Sequence, residues 1–540
     1  MAVPDRTGGP DADPASLEMM DASMSELHPN RESGSPDRET MQLSSDRSLD
    51  DSPAWASLLT RPAPERAQTH VHFVGIGGTG LSAIAELLLA LGYTVSGSDQ
   101  RPNEATEELA RRGAMVYRGH HVEHVTGADL VLISSAVPTN NPEVGAARAA
   151  GIPVVKRGEF LGPLMAGQHG IGVSGTHGKT TTTGMIATIL LRAGMDPSLI
   201  IGGRLSVGPA EGLPSSTIAA RAGRGPFVIE ADEYDGMFLG LRLEIAVVTN
   251  VEWDHVDCYP TPKAFAEAFR RFVARLPEGG LLMLCADDPG ALALRGAAPL
   301  GVTVRTYGLG PEADWRAQNL VPNFLGGLDA EVWHEPVQHE AAIPTPITSL
   351  RLSVPGQHNI RNALAALAVA HWHGISPKWA ATMLLDFRGA GRRFEFVGEV
   401  GGVTVIDDYA HHPTEIAATL SAARLRFATR RIWAVFQPHT YSRTKALLED
   451  FAHSFDDADR VLVLDIYAAR EKIDLGMHSR LLLEHMEHQG AEYAGSIEAA
   501  AEHLLAEVKP EDVVITMSAG DANRVGQLLL AGLLQRQERT

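Results

Sequence analysis

The chain is 540 residues long, which at roughly 150 residues per domain predicts three to four domains and excludes a single small module. Lys and Arg total 46 against 66 Asp and Glu, a formal charge of −20, so the surface as a whole is unsuited to neutralising nucleic-acid phosphates. A 44% hydrophobic share with 53 Gly and 32 Pro excludes disorder throughout, and two cysteines, Cys258 and Cys285, exclude a disulfide framework or thiolate zinc cage.

Residues 1–66 are expected to form a disordered acidic tail. Met1 to Asp51 carry 12 acidic and 4 basic residues with no helical or strand period, too little apolar surface to offset the entropy of ordering. The N-terminus shows no basic region followed by an apolar run, and no stretch approaches the ~18 apolar residues of a membrane span. The expectation is a cytoplasmic protein with neither a membrane nor a nucleic-acid partner, as monomer or homodimer.

The first α/β block, 67–167, opens with the strand around His70, a glycine turn and an apolar helix. Further strands end at Asp99, run near Val131 and start near Ile152. The second block, 168–388, has strands HGIGVSG, PFVIEAD, EIAVVTN and GGLLMLC and a long Ala-rich helix starting near Asn359. The third, 389–540, has strands VTVIDD, RIWAVFQ, RVLVLDI and DVVITMSAG. Strands alternating with helices predict parallel, doubly wound sheets, hence an α/β fold of three α/β domains.

Gly75, Gly77 and Gly80 spell G-x-G-x-x-G between strand and helix, with Asp99 about 20 residues on. Read alone, this suits a dinucleotide, any other phosphate ligand held at a helix N-terminus, or a structural tight turn. The stronger signal is GTHGKTTTT, Gly175 to Thr183. There Gly178 lets the backbone wrap an anion, Lys179 reaches β and γ phosphates, and Thr180 offers a hydroxyl to Mg²⁺. Val173 stands where the general phosphate-loop pattern has glycine, which points to a narrower class. Two acid clusters end later strands: Glu230, Asp232, Glu233 and Asp235, then Glu252, Asp254, His255 and Asp257. Oxygen ligands plus one imidazole suit Mg²⁺, or Mn²⁺, better than zinc. Asn359 and Asn362 share a helix start, where a cap explains the first equally well. Arg393, Asp408 and the adjacent His411 and His412 complete the chemistry-bearing set. Successive histidines point apart, which argues against a metal site built on that pair.

These motifs, in this order together with SSAV, GQHNIRNALAA, GAGRRFE, DDYAHHPTEI and FQPHTYSRT, resemble the Mur ligase family from about His70 to the C-terminus. The resemblance implies an N-terminal Rossmann-like domain for UDP, a central P-loop-type ATPase domain, and a C-terminal Rossmann-like domain that brings the amino acid. The implied substrates are UDP-N-acetylmuramate and L-alanine, with ATP and Mg²⁺. The implied reaction converts the sugar's lactyl carboxylate into an acyl phosphate that the amine then attacks, in cell-wall precursor synthesis. Carried residue by residue, the UDP sugar falls to Gly75, Gly77, Gly78, Thr79, Gly80, Asp99, Ser134 and Ser135. ATP falls to Gly175, Thr176, His177, Gly178, Lys179, Thr180, Thr181, Asn359 and Asn362, and the metal to Thr180, Glu230 and His255. Lys179, Glu230, His255, Arg393 and Asp408 are the implied catalytic set, and His411, His439, Tyr441 and Arg443 the amino-acid side. Two stretches depart from the family pattern: EADEYDGMF lacks a Ser-Phe pair after the acids, and the last glycine turn reads MSAGD. Three rival readings are a tripeptide-recycling ligase of the same family, an NAD-dependent dehydrogenase resting on the first glycine turn alone, and a non-enzymatic binding module.

Overall fold

The computed structural model describes residues 53–207, 216–334, 345–474 and 476–539. The tail expected over Met1 to Asp51 lies outside them. Residues 53–66, expected to belong to that tail, instead form a 3₁₀ turn, Ala54–Thr60, and a short helix, Ala63–Arg66. Trp55 stacks on Phe160 with ring centroids 6.0 Å apart, Leu59 is buried, and the Tyr93 hydroxyl donates to the Leu59 carbonyl at 3.0 Å. The composition of the tail as a whole hid these few apolar anchors at its end.

The first sheet contains β1 (His70–Val74), β2 (Thr94–Asp99), β3 (Met115–Arg118), β4 (Leu130–Ile133) and β5 (Val154–Lys156). All are parallel, in the order β3-β2-β1-β4-β5. The order reverses between β1 and β4, so a crevice opens beyond their carboxyl ends, where Gly75 to Gly80 and Ser134 lie.

The central sheet has ten strands. They are β6 (Gly170–Ser174), β7 (Ser198–Val207), β8 (Ser216–Arg221), β9 (Phe227–Glu230), β10 (Ile245–Val248), β11 (Leu281–Cys285), β12 (Thr303–Gly308), β13 (Trp315–Pro322), β14 (Leu328–His334) and β15 (Thr348–Arg351). The order is β15-β14-β13-β12-β11-β10-β6-β9-β7-β8, with antiparallel pairs at both margins. β6 lies between β10 and β9, with Ile171 opposite Ile245 on one side and Val228 on the other. Helices cover such parallel strands on both faces, which is why β6, β10 and β11 read as unbroken apolar runs.

The third sheet holds β16 (Glu395–Val400), β17 (Val403–Asp408), β18 (Ile432–Phe436), β19 (Arg460–Leu464), β20 (Ala491–Gly495) and β21 (Val513–Met517) in the order β16-β17-β21-β18-β19-β20. Every strand anticipated from the apolar runs is present. The unanticipated ones, β3, β7–β8, β12–β15, β16 and β20, are mostly marginal strands. In β16, for example, Glu395, Phe396, Val397 and Glu399 are exposed, so no buried run marks it.

One buried apolar cluster runs without a break from Leu59 through the first sheet to Phe387, so the first two domains share a core. The third domain packs its own clusters on the two faces of its sheet. Among the described residues no helix is long and apolar enough to cross a membrane.

Candidate active site

The phosphate loop leaves β6 at Gly175 and enters the helix Lys179–Arg192. Gly175 (φ +138°) and Gly178 (φ +79°) take backbone conformations that favour glycine. A Cβ added at Gly175 would lie 2.0 Å from Thr249 Oγ1, so only glycine lets the loop close onto the end of β10. There the His177 N–H donates to Asn250 Oδ1 at 2.8 Å, and the Thr176 hydroxyl donates to the Glu252 carbonyl at 2.7 Å. Lys179 Nζ donates to the Gly175 carbonyl and, at 2.9 Å, to the fully buried Glu233. Burial opposes its charge, but Glu233, Asp232 and Glu230 hold the ammonium above the usual lysine range.

The metal set expected from sequence is divided. The Thr180 hydroxyl donates to Glu230 at 3.1 Å, and Glu230 also accepts the Gly202 N–H at 2.7 Å. His255 instead meets Glu233, its Nε2 at 3.0 Å, and its own backbone is left-handed at φ +54°. Asp232, Glu233 and His255 bring their ligand atoms within 4.8 Å of one another. With the Thr180 hydroxyl and Glu230 close to Lys179, the donors are hard oxygens plus a single imidazole, a set that fits Mg²⁺ or Mn²⁺.

The third domain reaches this loop through side chains. Arg443, on the short helix Tyr441–Ala446, grips Asp254 with Nε at 2.8 Å and Nη2 at 3.1 Å, both residues being buried. Its Nη1 lies 3.0 Å from His439 Nδ1, and the His411 ring stands 5.9 Å from that of His439. Burial, reinforced by the Arg443 charge, lowers the His439 imidazole to about 4, and burial lowers that of His411 to about 3, so both are neutral. Tyr441 enters through its backbone N–H, 2.6 Å from Glu471. His177 lies between Glu252 at 3.4 Å and Glu415 at 3.3 Å and packs against the His412 ring. His177, Glu252 and His412 thus form a group that no local spacing reveals.

A cavity of about 330 Å³ opens where the central and third domains meet. From the expected ATP and catalytic sets it is lined by His177, Gly178, Thr181, Asn359, Asn362, Arg393 and Asp408. Arg393 contacts Glu415 at 3.2 Å, and burial lifts the Asp408 carboxyl to about 6 against the pull of Arg393. Asn359 turns its amide back to the Pro355 carbonyl at 2.6 Å, and its Oδ1 accepts from Asn362. Arg392, beside Arg393 in sequence, is taken up by Asp407 and the Ser518 carbonyl and braces the third domain instead. Sequence reading missed Cys285, Asp287, Tyr307 and His358 on the wall of this cavity. The acids that close GGLLMLCADD were a signal of the same kind as the other strand-end clusters.

The first-domain set gathers elsewhere, at the end of β1. Gly77 donates its N–H to Asp99 at 3.0 Å, so this carboxylate holds the loop itself, and Gly75 approaches Ser134. Ser134 and Ser135 follow the end of β4 at Ile133 rather than lying in the strand.

Family models match three successive stretches: the Mur ligase family catalytic domain over 70–169, the Mur ligase middle domain over 173–370, and the Mur ligase glutamate ligase domain over 392–520. Among curated proteins, the UDP-N-acetylmuramate--L-alanine ligase of Acidithiobacillus ferrooxidans is 45% identical, covering 83% of this chain and 95% of its own. That of Pelotomaculum thermopropionicum is 43% identical, covering 87% and 98%. Among solved structures, UDP-N-acetylmuramate-alanine ligase MurC of Thermotoga maritima aligns with a TM-score of 0.70 at 26% identity, over 87% of this chain and all of that one. A murein peptide ligase of Psychrobacter arcticus aligns at 0.65 and 28% identity, over 86% and 98%.

Proposed function

The chain belongs to the Mur ligase family, and from that premise we propose that it joins L-alanine to UDP-N-acetylmuramate at the expense of ATP. The observation that carries this reading is a continuous line of polar contacts. It runs from Lys179 through Glu233 and His255 to Asp254, and on to Arg443 and His439 of the third domain. Groups suited to a γ phosphate and groups suited to an amino acid are therefore held in one network across two domains.

A carboxylate is a poor acyl donor, so the lactyl carboxylate must first attack the γ phosphorus, releasing ADP and leaving an acyl phosphate. Lys179, and Arg393 from the domain boundary, would face the charge that develops on the transferred group. The amine of alanine then attacks the acyl carbon, phosphate departs, and the amine's proton must leave. His439 and His411 stand on the amino-acid side as neutral imidazoles, too weakly basic there to hold that proton, and would orient the incoming amine by hydrogen bonding instead. Thr180, Glu230 and His255, with Asp232 and Glu233 beside them, would hold Mg²⁺. The ion's chemistry is to neutralise the phosphate oxygens. The cavity lined by His177, Asn362, Tyr307 and His358 would take the nucleoside of ATP. The glycine loop at Gly75 to Gly80, with Ser134 and Ser135, would take UDP.

The test is phosphate release from ATP, Mg²⁺ and UDP-N-acetylmuramate on adding single amino acids or the L-Ala-γ-D-Glu-meso-diaminopimelate tripeptide in turn. L-Alanine should give the largest rate, and Lys179→Ala should lower it by about three powers of ten or more with the fold retained, although losing the ammonium beside the buried Glu233 should also lower the melting temperature. A faster rate with the tripeptide would favour the recycling ligase. Lys179→Ala activity within about tenfold of the parent would refute the assigned role of the lysine.

A further inference from the structure

Arg157 opens the helix Arg157–Leu164 of the first domain, and its side chain lies between two loops from different domains. Its Nη2 is 2.7 Å from Asp232 Oδ2, in the acid cluster beside Lys179. Its Nη1 lies against Gly80, so closely that a Cβ added at that glycine would stand 1.4 Å from it. Glycine at 80 is therefore the residue that leaves room for a guanidinium over the first turn of the helix Thr79–Ala90. The helix that carries Arg157 is seated firmly. A Cβ at Gly162 would meet the Gly240 carbonyl at 2.4 Å and one at Gly240 the Gly158 carbonyl at 1.8 Å, so this helix is locked onto the turn Tyr234–Gly240 that follows the acids.

A cation over the N-terminal turn of a helix faces the positive end of that helix's dipole, which is unfavourable unless an anion lies there too. Asp232 meets the far side of the guanidinium, and at 21% side-chain exposure the arginine keeps access to the crevice. We propose that Arg157 is the cation that closes the first domain's glycine loop on the diphosphate of the UDP sugar, and that its pair with Asp232 sets where that diphosphate stands relative to the phosphoryl-transfer site. Arg157 thereby binds one substrate and positions it for a second site, since the lactyl carboxylate on the same sugar has to reach the γ phosphate near Lys179. This assignment rests on the ligase reading above.

The experiment pairs calorimetric binding of UDP-N-acetylmuramate and of UDP to the full chain with the alanine-ligation assay. Arg157→Ala should weaken binding of both nucleotides by about tenfold or more, the loss expected for a charge-assisted contact. The KM for UDP-N-acetylmuramate should rise by the same factor while the KM for ATP and the melting temperature hold. Arg157→Lys should recover much of the affinity. Asp232→Asn should leave UDP affinity within about threefold, because the cation is kept; kcat should fall both through the lost placement and through the loss of a carboxylate beside the metal set, so UDP affinity is the reading that decides. If Arg157→Ala is poorly folded, Arg157→Gln replaces it and must show the same selective loss. Unchanged nucleotide binding, a parallel rise in the KM for ATP, no recovery with lysine, or equal loss of UDP affinity in Asp232→Asn would each overturn the proposal. A parent protein that binds UDP-N-acetylmuramate but ligates nothing would refute the ligase reading instead, and the binding arms would still decide the role of Arg157.

Discussion

At the scale of single residues, the charge on His177 couples the phosphate loop to the third domain. Burial opposes an imidazolium there, yet Glu415 and Glu252 hold it up to about 9, with His412 and Asp288 as the other titratable neighbours. A folded-state value above the unfolded one of about 6.5 means the stabilisation is complete below that pH and is lost as pH rises through the folded value. The melting temperature should therefore fall between about pH 7 and about pH 10 more steeply in the parent than in His177→Gln. Parallel pH profiles for the two proteins would contradict this. The sequence showed His177 inside a phosphate loop but not its charge, because Glu415 is 238 positions away and only folding brings it within 3.3 Å. The strand-end acids were similarly legible as a cluster. Which of them meets Lys179 was not, since Glu230, Asp232 and Glu233 all carry a carboxylate and the direction each takes is set by the backbone at and beyond the end of β9.

At the scale of elements, the apolar runs that marked β6, β10, β11 and β21 were readable because a parallel strand covered on both faces has no polar side. The short elements over 53–66 were not, since only a few side chains there face protein. Trp55 against Phe160 and Leu59 beneath Tyr93 attach this segment to the first domain. Trp55→Ala should lower stability by about 1–3 kcal/mol, below the full cost of a buried tryptophan because the ring is only half-buried. Ligase turnover at saturating substrates should be unaffected. Urea denaturation followed by tryptophan fluorescence, with turnover measured alongside, checks both parts, and an unchanged midpoint would show that the stacking contributes nothing.

For the whole molecule, the two domain junctions differ in kind. The first and central domains share one apolar cluster, whereas the third domain meets the central one largely through polar pairs: Arg443 with Asp254, His177 with Glu415, and Thr414 with Glu252. Polar junctions give way more readily than shared cores, so the third domain is the one expected to shift as substrates load. The pair Arg443–Asp254 is buried, and burial opposes its charges, but each holds the other ionised. Arg443→Ala strands a buried carboxylate and should cost about 3–5 kcal/mol, whereas Arg443→Ala with Asp254→Ala should cost less than the single change. A double-mutant cycle read from urea transitions checks this, and strict additivity would mean that the two charges do not depend on each other.

Three α/β blocks, their parallel sheets, the two glycine loops and the family were determined by the sequence itself. Apolar runs, glycine turns and strand-end acids act over a few residues and leave a local signature. The tertiary structure alone decided which acid pairs with Lys179, that Asp99 braces its own loop, that Arg392 supports the fold while Arg393 faces the cavity, and that Arg157 lies over Gly80 against Asp232. Each of those is a contact between side chains far apart in the chain. Its energy depends on distance and burial, and neither exists until the sheets have packed.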